Sequence, residues 1–129
     1  MNLNQITVPV KDINASIDFY QKLGLRLIVH TNDHYARFEC TNGDSASTFS
    51  IHKVDTLPAG NGIWVYFEVP DVDAAVEEMS AKGLQFAEPA EDKKWLWRET
   101  RLKDLDGNQI IVYHAGTNRR HPPWRKDGA

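Results

Sequence analysis

The run Trp95-Leu96-Trp97-Arg98-Glu99-Thr100-Arg101 sets a carboxylate and a guanidinium two residues apart, with indoles just ahead of them. Residues two apart on an extended chain share a face, so Glu99 and Arg101 can bracket one ligand. The carboxylate could hold a cation or take a proton, and the guanidinium could hold a carboxylate or phosphate. The plainer expectation is an ion pair within a sheet, also involving Arg37 and Glu39. A second candidate is His52, which alternation places with Ser50 and Thr48 opposite Phe49 and Ile51. Glu99 and His52 are therefore the candidate acid–base residues. The other four histidines, His30, His34, His114 and His121, read as polar surface or loop residues; His30 and His34 stand four apart but flank a turn rather than share a helix face. Cys40 falls on an apolar face and is expected to pack rather than react. No Ser–His–acid order or phosphate-cradling glycine loop is present.

The elements that carry these residues follow from hydrophobic period. Ile13, Ile17, Tyr20 and Leu23 form a stripe at helical spacing after Asp12 and before Gly24; Val72, Ala75, Val76 and Met79 do the same between Asp71 and Gly83. Alternation predicts strands at Gln5 to Val10, Leu25 to His30, Tyr35 to Cys40 and Thr48 to Lys53. In the second half it predicts Trp64 to Val69, Leu84 to Ala87, Trp95 to Lys103 and Gln109 to His114. Asn42-Gly43-Asp44 and Asp104-Leu105-Asp106-Gly107-Asn108 are the matching turns. The stretch from Asp55 to Gly62, with Pro58, Gly60 and Gly62, reads as a linker.

The two halves repeat each other. Val10-Lys11-Asp12-Ile13-Asn14-Ala15 leads to Gly24-Leu25 at the same spacing as Val69-Pro70-Asp71-Val72-Asp73-Ala74 leads to Gly83-Leu84. The fold class expected is α+β, with two tandem βαβββ modules whose curved mixed sheets surround a concave cavity. Module 1 spans about 1–56, module 2 about 62–115, and a tail 116–129, all within one domain of 129 residues. Alternation gives one face of each sheet to the helices. The other face carries Gln5, Arg37 and His52 in module 1, and Trp64, Tyr66, Trp97, Glu99, Arg101 and Tyr113 in module 2. Arg98 breaks the pattern.

The phrase Val10 to Ala15 with Phe19-Tyr20 and Leu23-Gly24-Leu25, and the later Asp104 to Asn108 followed by Gln109-Ile110-Ile111, resemble the glyoxalase, bleomycin-resistance and extradiol dioxygenase (vicinal oxygen chelate) superfamily over residues 3 to 115. The resemblance implies two curved sheets around a ligand cavity, often within a homodimer. It also implies metal donors at Gln5, Ser50, Trp64 and Ile111. Of these only Gln5 is an acceptable donor, because serine is poor, indole offers only an N–H and isoleucine offers nothing. No metal and no cofactor are therefore expected. A shifted set, Gln5 and His52 with Glu99 or Glu39, would instead serve a metal-dependent lyase, isomerase or dioxygenase; Glu99 as base would serve a metal-free one.

A net charge of −3 gives no general attraction to nucleic acid or to an anionic membrane, and no apolar run is long enough to span a bilayer. One cysteine cannot form an internal disulfide, and residues 1–10 lack the pattern of an export signal, so the cytoplasm is the expected compartment. The leading functional expectation is metal-independent binding of an aromatic or charged small molecule. Trp64, Tyr66, Trp97 and Tyr113 would stack, and Gln5, Arg37, His52, Glu99 and Arg101 would anchor polar groups. A homodimer is expected, and the basic tail from Asn118 to Lys126 is a candidate strap with Trp124 as its docking side chain.

Overall fold

The computed structural model describes residues 1–40 and 46–126, so the turn expected at Asn42-Gly43-Asp44 lies outside the described residues. Module 1 comprises β1 (Gln5–Val10), α1 (Ile13–Leu23), β2 (Arg26–Thr31), β3 (Tyr35–Glu39) and β4 (Thr48–Lys53). Module 2 comprises β5 (Trp64–Glu68), α2 (Val72–Ala81), β6 (Glu91–Asp92), β7 (Arg98–Lys103) and β8 (Gln109–His114). The strand orders are the same: β1-β4-β3-β2 in sheet 1 and β5-β8-β7-β6 in sheet 2. In each, the outer strand before the helix runs parallel to the last strand of the module, and the remaining pairs are antiparallel.

Both helices start and stop for the reasons legible in the repeat. The Asp12 carboxylate accepts from the Ala15 N–H at 3.0 Å, and that of Asp71 accepts from the Ala74 N–H at the same distance. Each thereby satisfies one of the amides that a helix start leaves without a partner. At the far ends Gly24 and Gly83 take left-handed conformations, and Leu25 and Leu84 donate back to the carbonyls of Tyr20 and Met79.

Two strands differ from expectation. Leu84 to Ala87 is not a strand: Leu84 is buried in the core, and the segment's bond to the sheet is a single one, Ala87 N–H to the Arg101 carbonyl at 2.8 Å. Pro89 then removes a donor, and pairing resumes only at Glu91–Asp92. The strand expected from Trp95 begins at Arg98, because Lys94 to Leu96 form a turn in which Leu96 takes φ 68°. That start also places Arg98. It faces α2 with Thr100 and Leu102, and its guanidinium reaches Asp73 at 2.9 Å and Asp92 at 3.2 Å.

The helix-facing residues of both modules form one continuous core. Val8, Val10, Phe38, Phe49 and Ile51 pack with Ile13, Ile17 and Tyr20, and the cluster runs on through Val65, Met79, Leu102, Ile110 and Val112. Phe49 and Phe67 meet across the modules at 5.6 Å between ring centres. A polar latch adds to this contact. The buried Tyr20 hydroxyl donates to Asp104 Oδ2 at 2.6 Å, while Asp104 Oδ1 accepts from the Asp106 and Asn108 N–H groups. Asn108 Nδ2 in turn donates to the Pro9 carbonyl, and the Lys11 N–H donates to Asp106. The Asp104–Asn108 turn of module 2 is thus a clasp on module 1.

Candidate functional site

With the helix side filled, chemistry is left to the opposite faces of the sheets. On sheet 2 the register sets Tyr66 against Ile111, Ile111 against Arg101, and Tyr113 against Glu99, so these side chains share a face. Trp97 stacks on Tyr113 with centres 4.8 Å apart, and Tyr66 meets Trp97 and Tyr113 edge-on at 6.0 and 5.5 Å. Trp97, Tyr113, Ile111 and Ala115 make a small second core. Its cover is the chain just after β8: Glu68 Oε2 accepts from the Ala115 and Gly116 N–H groups at 2.7 and 2.9 Å, and the Trp97 indole N–H reaches the Asn118 carbonyl at 3.5 Å. The strap is therefore residues 115–118. Trp124 is 57% exposed.

Trp64 and Tyr66 remain open on this platform, 49% and 44% exposed. The Arg101 guanidinium lies 5.5 Å from the Trp64 ring centre, and an open cleft of about 400 Å³ lies beside them, lined also by Asn61, Lys103 and Gln109. Burial raises the Tyr66 hydroxyl above its ordinary pKa; Glu99 adds to the rise and Arg101 opposes it. Tyr113 is raised chiefly by burial and then by Glu68. Both phenols are therefore neutral donors at physiological pH.

The ion-pair lattice expected of Glu99, Arg101, Arg37 and Glu39 does not form. Glu99 accepts from the Trp95 indole N–H at 2.8 Å, Arg101 pairs with Glu88 at 3.2 Å, and Glu39 pairs with Arg26 at 3.3 Å. Turn geometry explains this: the reversal at Lys94–Leu96 brings Trp95 back over its own strand, and the irregular segment after α2 brings Glu88 beside Arg101. Neither is visible in strand alternation.

Sheet 1 presents a different face. Gln5 Oε1 accepts from the Thr48 hydroxyl at 2.7 Å, Arg37 Nε donates to the Tyr35 hydroxyl at 2.8 Å, and Tyr35 Oη and Ser50 Oγ share a hydrogen bond of 2.7 Å. His52 is exposed at the end of β4. Among the described residues no hydrogen bond, ion pair or ring contact joins Gln5, Arg37 or His52 to the sheet 2 set. The structure therefore brings Trp64, Tyr66, Trp97, Glu99, Arg101 and Tyr113 together and leaves the other three on sheet 1. Tyr35 and Glu68 lie on the faces alternation gives them, but the bonds that make them organisers span turns and the tail.

The glyoxalase/bleomycin resistance protein/dioxygenase superfamily model matches residues 2–112. The chain belongs to this superfamily. No curated protein matches it. Solved structures of the superfamily share its fold. A glyoxalase/bleomycin resistance protein/dioxygenase from Nocardioides superposes with a TM-score of 0.73 at 20% identity, covering 100% of this chain and 89% of that one. A lactoylglutathione lyase from Agrobacterium tumefaciens gives 0.71 at 15%, covering 88% and 92%. The bleomycin resistance determinant encoded on transposon Tn5 gives 0.72 at 15%, covering 88% and 98%.

The metal positions that the superfamily implies do not suit a divalent ion here. Ser50 is fully buried and bonded to Tyr35, the Gln5 oxygen is taken by Thr48, Trp64 has no lone pair to give, and Ile111 is an apolar side chain within the small second core. Of the shifted set, Gln5 and His52 lie on sheet 1 and Glu99 lies on sheet 2. Among the described residues no three His, Cys, Asp or Glu side chains are grouped so as to hold an ion. No helix there is long and apolar enough to cross a membrane.

Proposed function

We propose that the open face of sheet 2 binds a small, aromatic or charged organic molecule without a metal ion. The observation that carries this reading is the exposure of Trp64 and Tyr66 on a platform whose other rings, Trp97 and Tyr113, are locked by stacking and by the strap. Rigid aromatic area left open is costly in water and well suited to stacking. Arg101 and Glu99 supply one charge of each sign at its border, each held by a neighbour, so a ligand meets groups already oriented. Superfamily membership supports a pocket protein. The lyase and the resistance determinant among the similar folds show how differently such a scaffold can be used.

Tryptophan fluorescence tests the reading. A ligand that stacks here changes the emission, and the change persists in the presence of chelator. Trp64→Ala lowers its affinity about fivefold or more while the fold survives. A ligand found by screening whose affinity ignores Trp64 and Trp97 substitutions alike would place the site elsewhere. The same exposed rings, and the exposed Trp95 and Leu96 of the turn before β7, support a homodimer that covers part of this surface. Size-exclusion chromatography with light scattering should give twice the chain mass at micromolar concentration; a monomer there contradicts the dimer.

A further inference from the structure

The arginines on the strands are not used alike. Arg26, Arg98 and Arg101 each have a carboxylate partner, in Glu39, in Asp73 with Asp92, and in Glu88. Arg37 has none among the described residues, although it is partly buried and lies on the polar face of sheet 1. A guanidinium cannot shed its proton, and covering part of it without a counter-charge forfeits hydration.

Arg37 is also held in place. Its Nε donates to the Tyr35 hydroxyl at 2.8 Å, its central carbon lies 5.4 Å from the Tyr35 ring centre, and that hydroxyl is tied to the fully buried Ser50. With Nε committed, the two terminal nitrogens are the end left for a ligand. The surroundings favour an anion. Register sets Ser50 opposite Arg37 and Thr7 opposite Ser50, so the row carries hydroxyls, and His52 lies exposed opposite Tyr35. The one carboxylate nearby on the same strand face, Glu39, is held by Arg26 at 3.3 Å.

From this arrangement we propose an oxyanion-binding site on sheet 1, centred on the terminal nitrogens of Arg37, that takes the carboxylate of a small organic acid. The planar fork of the guanidinium matches two carboxylate oxygens, which an ammonium cannot reproduce. Locking by Tyr35 and Ser50 reduces the ordering cost of binding. The site lies on the other sheet from the aromatic platform and stands whether or not that platform binds a ligand.

The test uses the full chain labelled with nitrogen-15, following the Arg37 Nε–H resonance while acetate, benzoate or inorganic phosphate replaces chloride at constant ionic strength. A saturating shift with acetate or benzoate is expected. Arg37→Lys, which keeps the charge, weakens the same binding about fivefold or more, read from the rise in unfolding temperature with anion. Lys22→Gln, which removes a surface charge on α1, leaves it unchanged. A shift that stays linear in anion, or Arg37→Lys binding as tightly as the parent, overturns the site. Saturation by phosphate alone overturns the carboxylate assignment. If Arg37→Lys fails to fold, Tyr35→Phe decides: it keeps the guanidinium but frees it, and binding as tight as the parent's overturns the held geometry.

Discussion

The helix-facing sides of the two sheets are nearly interchangeable, whereas the opposite sides share almost nothing. Val8, Phe49 and Ile51 in module 1 have counterparts in Phe67, Ile110 and Val112, all in or packed against one core. On the other side, sheet 1 carries Gln5, Tyr35, Arg37, Ser50 and His52, and sheet 2 carries Trp64, Tyr66, Trp97, Glu99, Arg101 and Tyr113. A strand's period of two allows this divergence, since one set of residues answers to packing and the alternate set is released from it. Duplication therefore retained the constraint on one side and left the other to specialise.

The two faces should differ most when one large ring is cut from each. Phe49→Ala should cost about 3–5 kcal/mol in urea unfolding, because it empties a site between Tyr20, Phe38 and Phe67. Trp64→Ala should change stability by less than about 1 kcal/mol, as its ring is half in water. Equal losses would show that the face of sheet 2 is core rather than platform.

A middle-sized effect is expected at the clasp. Tyr20→Phe leaves Asp104 short of one donor in a buried place and should cost about 1–3 kcal/mol. It also carries a pH signature. Burial, and then Asp104, hold the Tyr20 phenol well above its ordinary value. The folded state thus keeps a proton that the unfolded chain releases above about pH 10, and stability present below that pH falls as pH rises past it. The alkaline limb of the unfolding curve should be shallower in Tyr20→Phe than in the parent; identical limbs would deny the clasp its role.

The smallest effect sharpens the border of the platform. Glu99→Gln keeps the shape and an acceptor for Trp95 but removes the charge. A cationic ligand should then bind more weakly and lose its salt sensitivity, with unfolding little changed, as calorimetry at two salt concentrations would show. A loss of stability with affinity intact would make Glu99 a support for the Trp95 turn.

Much of the fold was legible because its determinants are local. Asp12 and Asp71 cap helices within reach of their own side chains, and Gly24 and Gly83 end them. What escaped reading was set across distance. Leu84 to Ala87 has the composition of a strand, yet burial of Leu84 and the break at Pro89 take it out of the ladder. The Trp95 turn depends on a positive φ at Leu96, a residue that gives no warning of it. The candidate site was legible as a set of faces, since alternation placed Trp64, Tyr66, Glu99 and Arg101 together. The partners were not, since Glu88, Trp95 and Arg26 take charges that were expected to pair with one another.

The contact of Phe49 with Phe67 bears on how the chain assembles. A half-chain ending in the linker would turn Tyr20 and Phe49 toward water, and could hide them only by meeting another half at a rate set by its concentration. The segment 55–62 replaces that encounter with a tether, whose short span holds the second half at an effective concentration on the order of millimolar. Assembly of the core is thereby made independent of dilution, and any association between whole molecules is left to the opposite faces.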